Sequence, residues 1–247
     1  MLNIVTGCSQ NHFWAEIQFL RSLFESKQTE FQCYFYDLGI SPKHKEFLVK
    51  KFPHVLLRTF DYSKYPSYFN IRVSAGQYAW KPVILEQIMD EILEKNSENP
   101  GYLVWCDAGN MVKGNLIHLV NVLQKSGVYT PESEGPIMRW THVKTLQYFN
   151  INGNNPLLRR TMRAGGYVGF DLSREEVRGF IRYFSTCAQT EQCIAPSGSS
   201  RGNHRQDQSV LSILYYVYHQ QYPFQQVNHP VQMAFWQDDN ATVYKLD

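Results

Sequence analysis

The chain has 247 residues, 43% of them hydrophobic and 19% charged, with a net charge of +2. That is an ordinary soluble globular composition, long enough for one α/β domain with a full core or two small ones. The charge is too small for a nucleic-acid footprint, and no apolar run approaches the roughly 18 residues of a membrane span.

In chain order, "LNIVTG" reads as a short buried strand that stops at a glycine. "HFWAEIQFLRSLF" follows as a helix with Phe13, Ile17, Leu20 and Phe24 on one face. "FQCYFYDLG" is a second strand, and Ser41-Pro42 opens a helix with proline at its first position. "HVLLRTF" is a third strand, and the loop "DYSKYPSYFN" leads into the helix "AWKPVILEQIMDEIL". The run "YLVWCDAGN" is a strand that ends on Asp107, and "NLIHLVNVL" is an amphipathic helix. Farther on, "GYVGFDL" is a strand, and Ser173 with Glu176 predicts a capping box for "REEVRGFIRYF". A Gly/Ser-rich loop over 196–203 precedes a helix from about Gln208 to Tyr218.

This alternation predicts an α/β fold with a central, mostly parallel sheet covered by helices. We read residues 1–247 as a single domain, with a nucleotide-binding half over about 1–120 and an acceptor-side half over about 121–247. In such sheets ligands bind beyond the carboxyl ends of the strands, which is where Asp107 falls. A carboxylate after a strand is also an ordinary turn or cap.

The five cysteines contain no CxxC pair, so they do not form a zinc framework. Cys8, Cys33 and Cys106 sit in apolar runs and are expected to be buried thiols, while Cys187 and Cys193 fit either a small disulfide loop or two free thiols. No GxGxxG follows the first strand, and GxxxxGK[ST], GxSxG and HExxH are all absent. The N-terminus has no basic segment ahead of "LNIVTG", so the sequence as written predicts a cytoplasmic protein. A secretory lumen is the alternative if the sequence is a piece of a longer chain.

The stretches "IVTGCSQNHF", "YDLGIS", "FDYSKYPSYF", "YAWKP", "VWCDAGN", "CAQTEQCIAP" and "HRQDQSVL" occur in this order between Ile4 and Leu214. The set resembles a family of glycosyltransferase-like proteins of animals, otherwise described only as a domain of unknown function. The resemblance implies a GT-A-type fold and the transfer of a sugar from a nucleoside-diphosphate donor, UDP- or GDP-linked, to a hydroxyl of a carbohydrate or glycoconjugate. It also implies a Cys187–Cys193 disulfide, through the "C…CIAP" element.

Roles follow by position. Thr6, Gly7 and Cys8 match the place where GT-A folds approach the base and ribose. Asp107 is the candidate for a ribose or metal contact, the metal being Mn2+ or Mg2+. Such enzymes usually carry Asp-x-Asp, and here the second acid is replaced by Gly109, which predicts weaker metal dependence. Asn110 and His229 could add ligands, although a lone histidine is as readily structural. Lys81, at a helix start, suits a diphosphate or is a surface lysine, and Arg159, Arg160 and Arg163 form a basic cluster of similar promise. Gly165 and Gly166 allow close approach of a sugar or make a simple turn. Asp207 and Gln208 begin a helix. In similar folds such residues reach the sugar or the acceptor hydroxyl, with Asp207 as general base, whereas the bland assignment for Asp207 is an N-cap. Two rivals stand beside this reading. One is a non-catalytic carbohydrate- or nucleotide-sugar-binding protein. The other is a nucleotidyltransferase, for which "TGCSQN" lacks the expected glycine-rich basic loop.

Overall fold

The computed structural model describes residues 1–26, 30–112 and 114–222. The first half alternates strands and helices: β1 (Leu2–Cys8), α1 (Phe13–Glu25), β2 (Phe31–Asp37), α2 (Pro42–Lys51), β3 (Leu56–Thr59), α3 (Trp80–Lys95), β4 (Tyr102–Cys106) and α4 (Ile117–Ser126). The second half is shorter in its strands: β5 (Val128–Tyr129), β6 (Glu132–Pro136), α5 (Ile137–Trp140), α6 (Val143–Tyr148), β7 (Thr161–Arg163), β8 (Tyr167–Asp171), α7 (Glu175–Ala188), α8 (Glu191–Ile194) and α9 (Gln206–Gln221).

Among the described residues, six strands form one sheet in the order β3-β2-β1-β4-β8-β5, and β6 and β7 form a separate ribbon. β1, β2, β3 and β4 run parallel, while β8 pairs antiparallel with β4 and with β5. The fold is therefore mixed α/β with a mostly parallel centre.

Period-two alternation explains the two-sided core. Along β1, Ile4 packs into one apolar cluster and Val5 into the other, and Val104 and Trp105 divide the same way along β4. Helices α1, α2 and α4 cover one face of the sheet, and α3, α7 and α9 cover the other. A strand covered on both faces has no polar side, which is why all seven residues of β1 are buried, Asn3 and Thr6 included. Each fully buried Leu, Ile or Phe in such a core contributes about 1.5–3 kcal/mol of transfer free energy.

The sequence-based expectations for these elements hold for the strands and need three corrections at the helices. On α1 the buried face carries Phe19 and Leu23, while Phe24 is only partly buried. The Ser173–Glu176 capping box does not form: the Asp171 carboxylate accepts from both the amide and the hydroxyl of Ser173, so that hydroxyl is spent on a turn. Helix α9 starts at Gln206 with Arg205 at the cap, which places Asp207 inside the first turn rather than at the N-cap. Cys187 and Cys193 form a disulfide with their Cα atoms 5.4 Å apart, between the end of α7 and α8. Cys8, Cys33 and Cys106 are buried thiols.

The chain reverses its strand order between β1 and β4, the first two strands to lie on opposite sides of that point. A cleft outside the carboxyl ends of the strands forms at such a reversal.

Candidate functional site

That cleft holds a cavity of about 330 Å³, lined by Gly7, Cys8 and Ser9 from the end of β1 and by Asp107 and Ala108 from the end of β4. Asn11 and His12 after β1, Leu38 beyond β2, and Ile71, Ala75, Tyr78 and Trp80 from the approach to α3 complete the wall. The lip over 74–78 is backbone of an unusual kind. Ser74, Ala75, Gln77 and Tyr78 all hold positive φ, between 47° and 54°, around Gly76. A left-handed conformation costs an L-residue roughly 1–2 kcal/mol, so packing must hold this turn in place. Trp80 does so in part, its indole N–H donating to the Ala75 carbonyl at 3.0 Å.

Of the residues expected near the base, Gly7 and Cys8 line the cavity and Thr6 does not. Thr6 is fully buried, and its hydroxyl lies 2.9 Å from both carboxylate oxygens of Glu16. Burial, with the charges of Glu16 and Asp37, pushes the Cys8 thiol well above its ordinary value, so Cys8 is a neutral wall at physiological pH. Sequence reasoning passed over Glu16. Its signal was present: Glu16 falls three residues after Phe13 and four before Leu20, on the apolar face of α1.

Behind the wall, Asp107 belongs to a buried three-charge cluster. Lys81, from the first turn of α3, is buried, and its ammonium lies 2.9 Å from Asp107 Oδ1 and 3.0 Å from Asp207 Oδ2. The ammonium also donates to the Gly165 carbonyl at 2.9 Å. Lys81 is thus neither a surface lysine nor a cation with its charge free. Burial works against its charge, and the carboxylates of Asp107 and then Asp207 outweigh that, so Lys81 is held protonated above the usual lysine range. Asp207 is pushed up from the ordinary carboxylate value, chiefly by burial, with Lys81 opposing and Asp107 adding to the shift. The rings of Trp105, Tyr78 and Trp80 lie 5.5, 5.8 and 6.0 Å from the Lys81 ammonium and exclude water from it.

Asp107 presents its two oxygens differently. Oδ1 accepts from Lys81 and from the indole N–H of Trp105. Oδ2 takes no hydrogen bond or ion pair among the described residues, and the side chain is 30% exposed on the cavity wall. Gly166 is where bare backbone matters: a Cβ there would stand 3.2 Å from that open oxygen. Its carbonyl accepts from the Asp107 amide at 2.8 Å and from the Asn110 side chain at 2.9 Å, pinning β4 to the start of β8. Gly165 meets the opposite side, where a Cβ would crowd Gln208 and Asp207. Gln208 is half-buried on the same turn of α9.

The remaining candidates separate. Asn110 spends its amide nitrogen on the carbonyls of Asp107 and Gly166. Gly109, at the place of the missing second acid, has φ +90°, a conformation that an aspartate would adopt only under strain. Arg163 is buried and donates to the Thr130 carbonyl and Glu132, away from the cavity, and Arg160 stacks on Tyr216. Arg159 is exposed. His229 lies outside the described residues. Among the described residues, no group of three His, Cys, Asp or Glu side chains could hold a metal ion.

The model of a family described as "Protein of unknown function (DUF1647)" matches residues 2–86, and no curated protein matches. The galactosyltransferase LgtC, crystallised with donor and acceptor sugar analogues, is similar at 17% identity and a TM-score of 0.53, over 86% of this chain and 70% of its own. The bifunctional glycosyltransferase WbbM in its apo form is similar at 16% identity and a TM-score of 0.54, over 88% of this chain and 38% of that one. The fold is of the GT-A type. An active-site mutant of LgtC matches at 13% identity and a TM-score of 0.50, again over 86% of this chain. Among the described residues, no helix is long and apolar enough to cross a membrane.

Proposed function

We propose that the protein is a glycosyltransferase that moves a sugar from a UDP- or GDP-linked donor to a hydroxyl of a carbohydrate or glycoconjugate. The observation that carries this reading is the 330 Å³ cavity at the carboxyl ends of β1 and β4, with one unengaged carboxylate oxygen of Asp107 on its wall. The base and ribose would lie over Gly7, Cys8 and Ser9, and the diphosphate would point to Asp107. The transferred sugar would then reach Gly165, Gly166, Asp207 and Gln208.

A Mn2+ or Mg2+ ion fits here only as a partner of the donor. The described residues offer Asp107 Oδ2, and Mg2+ is commonly held by one or two carboxylates together with substrate phosphates and water. Bound there, the ion would neutralise charge on the leaving diphosphate. Asp207 is the candidate base, held close to Lys81, whose charge keeps a buried carboxylate available to accept a proton from the acceptor hydroxyl. The Cys187–Cys193 disulfide fits an oxidising lumen as the place of work.

A donor screen by thermal shift tests the reading. UDP or GDP, with Mn2+ or with EDTA, should raise the melting temperature, since ligand at 100-fold over Kd adds about 2.7 kcal/mol of stability. No shift with any nucleoside diphosphate would remove the donor site. One observation favours a second reading, a nucleotide-sugar-binding protein without turnover: Asp207 is only 5% exposed and already paired with Lys81. Donor binding without donor hydrolysis or transfer to any glycan acceptor would select it.

A further inference from the structure

Among the described residues the cavity is lined by no lysine or arginine, and its one basic residue, His12, offers an imidazole rather than the permanent charge of a guanidinium. Lys81 donates to the Gly165 carbonyl and is ion-paired with both Asp107 and Asp207, so its charge is already engaged. One ammonium and two carboxylates, when both are ionised, sum to a net charge of −1, so a diphosphate arriving beside Asp107 meets a cluster of its own sign. Charge on a leaving diphosphate has to be met by cations placed where it develops. Arg163 is buried on Thr130 and Glu132, Arg160 lies on Tyr216 and Arg205 on Trp140. Arg72 lines a neighbouring hollow formed with Tyr62, Pro66 and Ile71.

Arg201 is placed differently. It is exposed in the Gly/Ser-rich loop over 196–203, and its guanidinium carbon lies 5.2 Å from the centre of the Tyr78 ring. It has no carboxylate partner among the described residues. Tyr78 itself lines the cavity together with Asp107, and it ends the left-handed turn that leads into Lys81.

We propose that Arg201 is the diphosphate-binding cation of this site, stationed on Tyr78 at the cavity rim and closing on the donor when it binds. An exposed contact with a ring face is weak, so the guanidinium can leave it for a doubly charged ligand. Its planar fork matches two phosphate oxygens at once, which an ammonium cannot do. The proposal rests on the donor reading above and adds to it the residue that reads the phosphates.

Calorimetry on the wild type, Arg201→Ala and Arg201→Lys separates the two claims. UDP and GDP serve as probes, with uridine and guanosine measured by competition, at two salt concentrations. Whichever diphosphate binds the wild type should bind Arg201→Ala at least tenfold more weakly and with a shallower salt dependence, while nucleoside affinity stays within about twofold. Arg201→Lys should recover part of the loss. The melting temperature of the free variants should match the wild type, because the side chain is exposed. Equal diphosphate affinity in Arg201→Ala, or an equal loss for nucleoside and diphosphate, overturns the assignment of Arg201 and leaves the donor site standing. A wild type that binds neither diphosphate overturns the donor reading and the Arg201 proposal with it.

Discussion

The two halves of the chain reach one cavity by different routes. From Leu2 to Cys106 the strands are parallel, each is followed by a covering helix or a crossover, and the cavity floor is simply where β1 and β4 stop. From Val128 onward the strands are short and antiparallel, and their contributions arrive across long separations. Gly165 meets Lys81 over 84 positions, and Gly166 meets Asn110 over 56. The difference teaches that a local pattern can build a floor, whereas the polar chemistry above it depends on pairings made between distant segments. Lys81 is the residue that joins the two, with one carboxylate from each half.

Breaking that joint should have the largest effect. Lys81→Ala leaves Asp107 and Asp207 facing each other without a cation, and losing one partner of a buried ion pair costs about 3–5 kcal/mol. Urea unfolding measures it. A loss below about 1 kcal/mol would show that the halves hold together without this ammonium.

Asp207→Asn sharpens the comparison from the other side. Were Asp207 an N-cap, asparagine would replace it at a cost of a few tenths of a kcal/mol. As a buried partner of Lys81 it makes an ion pair, and loss of that charge should cost on the order of 1.5–3 kcal/mol or more. Given transferase activity, the rate should also fall about a hundredfold or more. An Asn variant that is as stable as the wild type would return Asp207 to the role of an ordinary helix start.

A third effect belongs to the first half alone and depends on pH. Burial raises the Glu16 carboxyl to about 8, with the Thr6 hydroxyl opposing and the Asp107 charge adding to the shift. The folded chain therefore keeps this proton where the unfolded chain, with the ordinary glutamate value of 4.5, has already released it. Stability from Glu16 is complete below about pH 4.5, falls as the pH rises toward about 8, and then levels off. Glu16→Gln removes that slope. The melting temperature of the variant, relative to wild type, should climb between pH 5 and pH 8. A constant difference across that range would mean that Glu16 does not change its proton binding on folding.

Much of this was legible in the sequence because it is local. The apolar runs of β1, β2 and β4 and the Ser41-Pro42 start of α2 follow from neighbours a few residues away, and Ser41 does accept from the His44 amide. Asp107 was legible for the same reason, as an acid directly after a buried strand. Lys81 and Asp207 were visible as residues but not as partners, because nothing within a turn of either one announces a contact made across the fold. The motif "HRQDQS" shows the same limit. Its His204 is a buried anchor that accepts from the His142 amide and bonds the Ile194 carbonyl, fixing the loop that carries Arg201 into α9. No periodicity distinguishes such a histidine from a ligand.

The central claim is that a nucleoside diphosphate lies at the carboxyl edge of the sheet, beside Asp107. A crystal structure of the protein grown with UDP and with GDP, each in the presence of Mn2+, tests it most directly. The account predicts a nucleoside against Gly7, Cys8 and Ser9, its phosphates near Asp107 Oδ2, and the Arg201 side chain moved from Tyr78 onto them. Nucleotide bound only in the hollow of Tyr62 and Arg72, or only along the loop over 196–203, would contradict it.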